Sequence, residues 1–165
     1  MLYLTQKPQL HSTQTHGALR AADGYLYLGL VDEALAELNR VLKHERDDSD
    51  VLLSRIRVLL HLKKWTSAEG LSGRGEKLHP HEGEFTVQRA FALHQMKKAA
   101  AAEQALLAAP DWIRRTGILH YNLACYQARL GDLSHARECI DVAIQMNAGI
   151  KKNARIDPDL QALWN

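Results

Sequence analysis

His120-Tyr-Asn-Leu-Ala-Cys-Tyr-Gln-Ala-Arg-Leu-Gly-Asp-Leu-Ser-His-Ala136 decides the fold. Gly131 can take the left-handed backbone that ends one helix, and Asp132 suits the turn into the next. Ala124 and Ala136 are small where two antiparallel helices have to approach closely. Leu123, Leu133, Ile140 and Ile144 add an apolar stripe at helical spacing. The segment is a helix-turn-helix unit.

Counting back from Ala136 in steps of 34 gives Ala102, Ala68 and Ala34, three equal intervals. Gly29 stands three whole periods ahead of Gly131. Around Gly29 the same logic recurs: Ala22 and Tyr25, then Leu28-Gly-Leu-Val-Asp-Glu-Ala34, then Leu38, Val41 and Leu42. A fixed period of this length marks stacked helical repeats, none of which can bury its apolar side alone. Four units at 15–48, 49–82, 83–116 and 117–150 leave a lead-in, 1–14, and a C-terminal capping segment, 151–165.

These residues resemble the tetratricopeptide repeat family over about residues 15–150. The resemblance is closest in the first and fourth units and weakest in the second. It implies an all-α, right-handed α-solenoid with a concave groove lined by the first helix of each unit. In that family the groove holds peptides or partner helices. Carried onto this chain, the groove wall is His16, Leu19, Asp23 and Tyr27, then Leu53, Arg57 and His61. It continues through Val87, Phe91 and His94 to Tyr121, Asn122, Cys125 and Arg129. One subgroup grips chaperone tails through lysines and asparagines; Leu19 and Asp23 stand at those places here, which argues against that clamp.

Composition sets outer limits. The chain has 165 residues, 46% hydrophobic, with four prolines and ten glycines, enough for a continuous core. A net charge of +2 gives no basic stripe for nucleic acid. No run approaches the roughly 18–20 apolar residues that span a bilayer. Met1-Leu-Tyr-Leu-Thr-Gln-Lys-Pro8 does not read as a secretory signal. Cys125 and Cys139 form no CxxC, so reduced thiols in a cytoplasm are expected.

The middle units depart from the pattern. Lys63-Lys64 and Lys97-Lys98, one period apart, replace the turn glycines. They read as solvated turns that complement the helix dipole, or as a basic ridge for an acidic partner. Arg55 and Arg89 share the same spacing, and either reach a carboxylate on the adjacent helix or point into the groove as anion contacts. Ser67-Ala-Glu-Gly-Leu-Ser-Gly-Arg-Gly75 carries three glycines, each costing about 1 kcal/mol against alanine in a helix interior. The composition therefore predicts a frayed or irregular helix there, with Gly75 alone placed for close packing. The third unit is alanine-rich, is stopped by Pro110, and leaves Trp112 to wedge between units.

The tail reads as a cap. Asp157 can cap a helix, Pro158 suits its first position, and Asp159 favours the positive end of the dipole. Leu160, Leu163 and Trp164 fall on one face and are expected to cover the fourth unit, with Lys151, Lys152 and Arg155 solvated ahead of them. The tail looks like the closing helix of bacterial tetratricopeptide proteins, which suggests a native C-terminus. The first fourteen residues show no period, although Leu2, Tyr3 and Leu4 could pack on the first helix.

Catalytic signatures are missing from the sequence. There is no GxxxxGK[ST], GxGxxG, HExxH, GxSxG or paired CxxC, and Gly73-Arg-Gly75-Glu-Lys77 is only a fragment of a glycine loop. Nine histidines include the couple His79-Pro-His81, and His120 and His135 could meet near a turn, but neither pair has metal-ligand company. No enzyme, cofactor or metal is expected. The reading is a protein-protein adaptor with no nucleic-acid or membrane partner. A secretion-type chaperone holding an unfolded client is the alternative, and an enzyme or small-ligand binder using the groove comes third.

Overall fold

The computed structural model describes residues 11–164. Ten α-helices and two short 3-10 helices make up its regular structure, with no strand among the described residues. The expected packing of Leu2, Tyr3 and Leu4 lies outside them. Two compact units meet in sequence at Lys64 and Trp65, inside the second repeat interval.

In the first unit, α1 (Thr13–Tyr27) packs on α2 (Val31–Asn39), and α3 (Ser49–His61) follows a 3-10 turn, Lys43–Glu45. Ser12 starts α1 by accepting the Thr15 amide at 3.2 Å. Ala18, Ala22, Ala34, Leu38, Val41, Val51 and Val58 form the core. Under it lies a buried carboxylate, Glu45, which accepts from Thr15 Oγ1 at 2.5 Å, Ser12 N at 2.7 Å and Ser12 Oγ at 2.8 Å. Those donors, Thr15 first, lower its pKa to about 2.

In the second unit, α4 (Trp65–Leu78), α5 (Glu84–Gln95) and α6 (Ala99–Leu107) pack in succession. The short α7 (Asp111–Arg114) leads into the hairpin of α8 (Gly117–Leu130) and α9 (Leu133–Met146). The chain closes with α10 (Ile150–Ile156) and a 3-10 segment, Pro158–Leu163. One apolar cluster runs from Ala90 and Leu93 through Leu106, Leu119, Tyr126 and Ile140 to Leu160 and Leu163.

The period is visible in burial. Ala34, Ala68, Ala102 and Ala136 are each 0% exposed, as are Ala22, Ile56, Ala90 and Ala124, and Leu38, Ser72, Leu106 and Ile140. It is visible in the backbone too. Gly29, Lys63, Lys97 and Gly131, each one period from the next, have φ of 75°, 55°, 61° and 90°, all left-handed. The first lysine of each pair thus carries the helix-ending turn that glycine carries in the outer units. A third recurrence has no plain mark in the sequence. Arg46 donates to the carbonyls of Val41 and Asn39 at 3.2 and 3.3 Å. Arg114, two periods further on, donates to those of Ala109 and Leu107 at 3.1 and 2.5 Å. Each guanidinium satisfies carbonyls left open at the end of a second helix.

Three local expectations need correction. Residues 67–75 are neither frayed nor irregular: α4 is one unbroken 14-residue helix. A Cβ on Gly75 would overlap the Phe85 ring, so the missing side chain seats that ring. Arg89 crosses over Gly73 to hold Glu69 at 2.8 Å and Glu76 at 3.0 Å, stapling the helix along one face. Trp112 is not wedged between units; it is 52% exposed, with its indole N–H directed to the His81 carbonyl at 3.3 Å. Lys151, Lys152 and Arg155 are exposed as expected, yet they ride on the helix α10. The cap beyond them is a 3-10 segment, with Asp157 accepting the Asp159 amide at 2.9 Å and Pro158 in its first turn.

Candidate functional site

Tyr121, Cys125 and Arg129 recur at every fourth position and line one face of α8. His94 comes from the last turn of α5 and lies against the Tyr126 ring, with centroids 4.7 Å apart. The tail folds back onto these side chains. Asp157 Oδ2 accepts the Tyr121 hydroxyl and lies 3.8 Å from Cys125 Sγ. Asp159 pairs through Oδ2 with His94 Nε2 at 2.5 Å and through Oδ1 with Arg129 Nε at 3.6 Å. Leu160 and Leu163 sink into the core, and Arg137 donates to the Leu163 carbonyl. Two carboxylates on either side of Pro158 are therefore read by four side chains, next to two apolar seats.

The electrostatics follow from that placement. Burial, then the Asp157 carboxylate, pushes the Tyr121 phenol far above its usual pKa. Burial, then the charges of Asp157 and Asp159, does the same to the Cys125 thiol. Both groups stay protonated, as donors. A thiol kept protonated in this way is a weaker nucleophile than a thiolate.

Cys125 Sγ and carboxylate oxygens of Asp157 and Asp159 lie within 4.8 Å of one another, and these are the residues that could hold a cation. To do so they would have to release the Tyr121 and His94 contacts and the thiol proton. As they stand, they form a hydrogen-bonded latch. His79 is stacked on Phe85 at 5.8 Å. His120 and His135 do not meet: each begins a helix of an antiparallel hairpin, and Gly117 abuts the Ala143 carbonyl at the far end of α9. An open hollow of about 450 Å³ lies beside Tyr121, lined by Gly117, Ile118, Asn147, Ile150 and Asn153 among others.

No family model and no curated protein matches the chain. Among solved structures it is similar to TTC0263, a thermophilic TPR protein of Thermus thermophilus. That match has 19% identity and a TM-score of 0.70, covering 96% of this chain and 81% of the other. It is also similar to MamA, residues 41 to the end, from Desulfovibrio magneticus RS-1, at 17% identity and TM-score 0.71, over 93% of this chain and 91% of that one. A MamA RS-1 double mutant gives 18% identity and a TM-score of 0.73, over 88% and 82%. The fold is the tetratricopeptide repeat fold.

On that tetratricopeptide fold the expected groove residues sort within each unit. In the first, Leu19 is part of the core, Leu53 is half-buried, and His16 and His61 are exposed. Asp23 and Arg57 are brought together at 3.1 Å, and Tyr27 is 91% exposed. In the second, Val87 packs against the core and Asn122 is half-buried. Phe91 meets Trp65 edge-on at 6.3 Å while remaining 36% exposed. His94, Tyr121, Cys125 and Arg129 converge on the tail. The repeat arginines do other work. Arg55 donates to the Leu38 carbonyl at 2.5 Å and to Asn39 Oδ1 at 3.3 Å, so it caps the end of α2 where a carboxylate was one expectation. Arg89 does reach carboxylates, on α4. Lys63, Lys64, Lys97 and Lys98 are exposed.

Asp157 and Asp159 are the residues that sequence reasoning misses as members of this site. Both read as capping groups, a role Asp157 does perform. The available signal is two acids flanking a proline in a chain whose candidate face carries a histidine and an arginine.

Proposed function

We propose that this chain is a non-catalytic adaptor that holds a segment of a partner protein against the first helices of its repeats. The observation that carries this reading is that the α5 and α8 face already seats a polypeptide segment, through side-chain donors beside apolar sockets. Exposed aromatic surface at Tyr27 and Phe91 supports it, since aromatic anchors flanked by charge are typical of peptide-binding surfaces. No helix among the described residues is long and apolar enough to cross a membrane. Unpaired Cys125 and Cys139 support a reducing compartment, and we place the protein in the cytoplasm.

The test is affinity for a partner recovered from the native host. Phe91→Ala and Arg57→Ala should each weaken binding about tenfold, roughly 1.4 kcal/mol. Glu138→Ala, on the exposed side of α9, should not change it. Unchanged affinity in the first two variants would refute the assignment.

A further inference from the structure

The tail shows which groups this face accommodates. Asp157 and Asp159 are held by Tyr121, His94 and Arg129, and Leu160 and Leu163 fill the sockets beside them. The tail's regular structure is weak on its own terms. Six residues of 3-10 helix have poor hydrogen-bond geometry, and α10 ahead of it spans only seven residues. Two of its internal bonds, Gln161 Nε2 to the Arg155 and Asp157 carbonyls at 3.0 Å, shape the tail without tying it to α5 or α8. Its acids are held by α5 and α8. Arg137 of α9 holds the Leu163 carbonyl, and the Trp164 indole N–H donates to the Ala154 carbonyl. The contacts to the acids are the ones open to another chain that offers the same groups.

We propose that the α5 and α8 face of this protein is a carboxylate-reading peptide site that its own segment Asp157–Leu163 occupies in cis. The partner is then an acidic segment carrying Asp-x-Asp-Leu, which binds by displacing the tail. This rests on the peptide-binding reading above and goes further by naming the ligand's chemistry and its competitor. Tethering sets the terms of the exchange. A segment joined to its site by a short stretch of chain acts at an effective concentration of order millimolar, so a free peptide competes poorly until the tail is weakened.

The experiment uses the full chain and a fluorescent peptide of residues 156–164, Ile-Asp-Pro-Asp-Leu-Gln-Ala-Leu-Trp. Asp157→Asn with Asp159→Asn removes the tail's carboxylates and leaves their receivers in place. This double variant should bind the peptide at least tenfold tighter than the natural chain does, and adding Arg129→Glu should abolish the gain. A peptide with both acids changed to asparagine should bind at least tenfold more weakly than the acidic one. Equal binding of the two peptides overturns the carboxylate reading and leaves the adaptor reading standing, whereas binding of neither overturns the displaceable tail. A double variant that turns dimeric by light scattering and ignores the peptide also overturns the proposal, in favour of tail exchange between copies. Hydrogen exchange on the unaltered chain covers the case in which the double variant fails to fold. Amides of 159–163 should exchange at least tenfold faster than those of 121–129, and equal protection would show a tail that never lifts.

Discussion

Lys63 and Lys97 sit in a backbone region that costs an L residue roughly 1–2 kcal/mol, and Gly29 and Gly131 occupy the same place in the period at little cost. A side chain added at either glycine would meet nothing within 4 Å, so the penalty there is purely torsional. Gly29→Ala and Gly131→Ala should each destabilise by about 1 kcal/mol. Lys63→Gly and Lys97→Gly should each stabilise by about 0.5–1 kcal/mol, because relief of the strained turn outweighs the extra freedom of an unfolded glycine. Urea midpoints at constant slope would measure both. Glu45 makes a different residue-scale prediction. Its carboxyl is held at about 2 by donors from Thr15 and Ser12, below the roughly 4.3 of an unfolded glutamate. Its contribution to stability is complete above the unfolded value and fades as the pH drops from about 4.5 to 2. Unfolding curves across that window should steepen in pH dependence for the natural chain relative to Glu45→Gln. Parallel curves would contradict the buried bonds.

At the scale of elements, α4 shows what propensity omits. Its three glycines forecast fraying, since each carries the cost it would have in an isolated helix. Phe85 lying on Gly75 and Arg89 bridging Glu69 to Glu76 are contacts from α5, and no local window contains them. The glycines should therefore respond differently to alanine. Gly75→Ala, with a Cβ driven into the Phe85 ring, should destabilise by about 1–3 kcal/mol. Gly70→Ala, with nothing within 4 Å, should stabilise by about 1 kcal/mol. Thermal melts that move the same way for both would contradict this packing. The helix pairs are legible for the opposite reason. Ala68 and Ala102 must be small wherever two helices touch, and that demand returns with every period whatever lies around it. The left-handed lysines are not legible, because lysine leaves no trace in its side chain of the backbone it adopts.

At the scale of the molecule, recurrence reveals a fold more readily than a site. The period picks out the first-helix positions, and His94, Tyr121, Cys125 and Arg129 do lie together. It does not reveal what covers them, since the pairing of Asp159 with His94 spans 65 residues and no periodicity encodes it. The cap chemistry of the tail is readable from Asp157 and Pro158, whereas its landing place depends on side chains far along the chain. Likeness to solved tetratricopeptide structures extends over most of the chain at 17% and 19% identity, so it supports the architecture and leaves the partner to experiment. The most direct measurement is photo-crosslinking in the native host, with a benzophenone amino acid replacing Phe91 in one strain and Glu138 in another. Crosslinks from position 91 that map to one linear segment of a single partner are the expected result. A partner captured only from position 138, or one that co-purifies yet never crosslinks at 91, would contradict a peptide-holding face on the first helices.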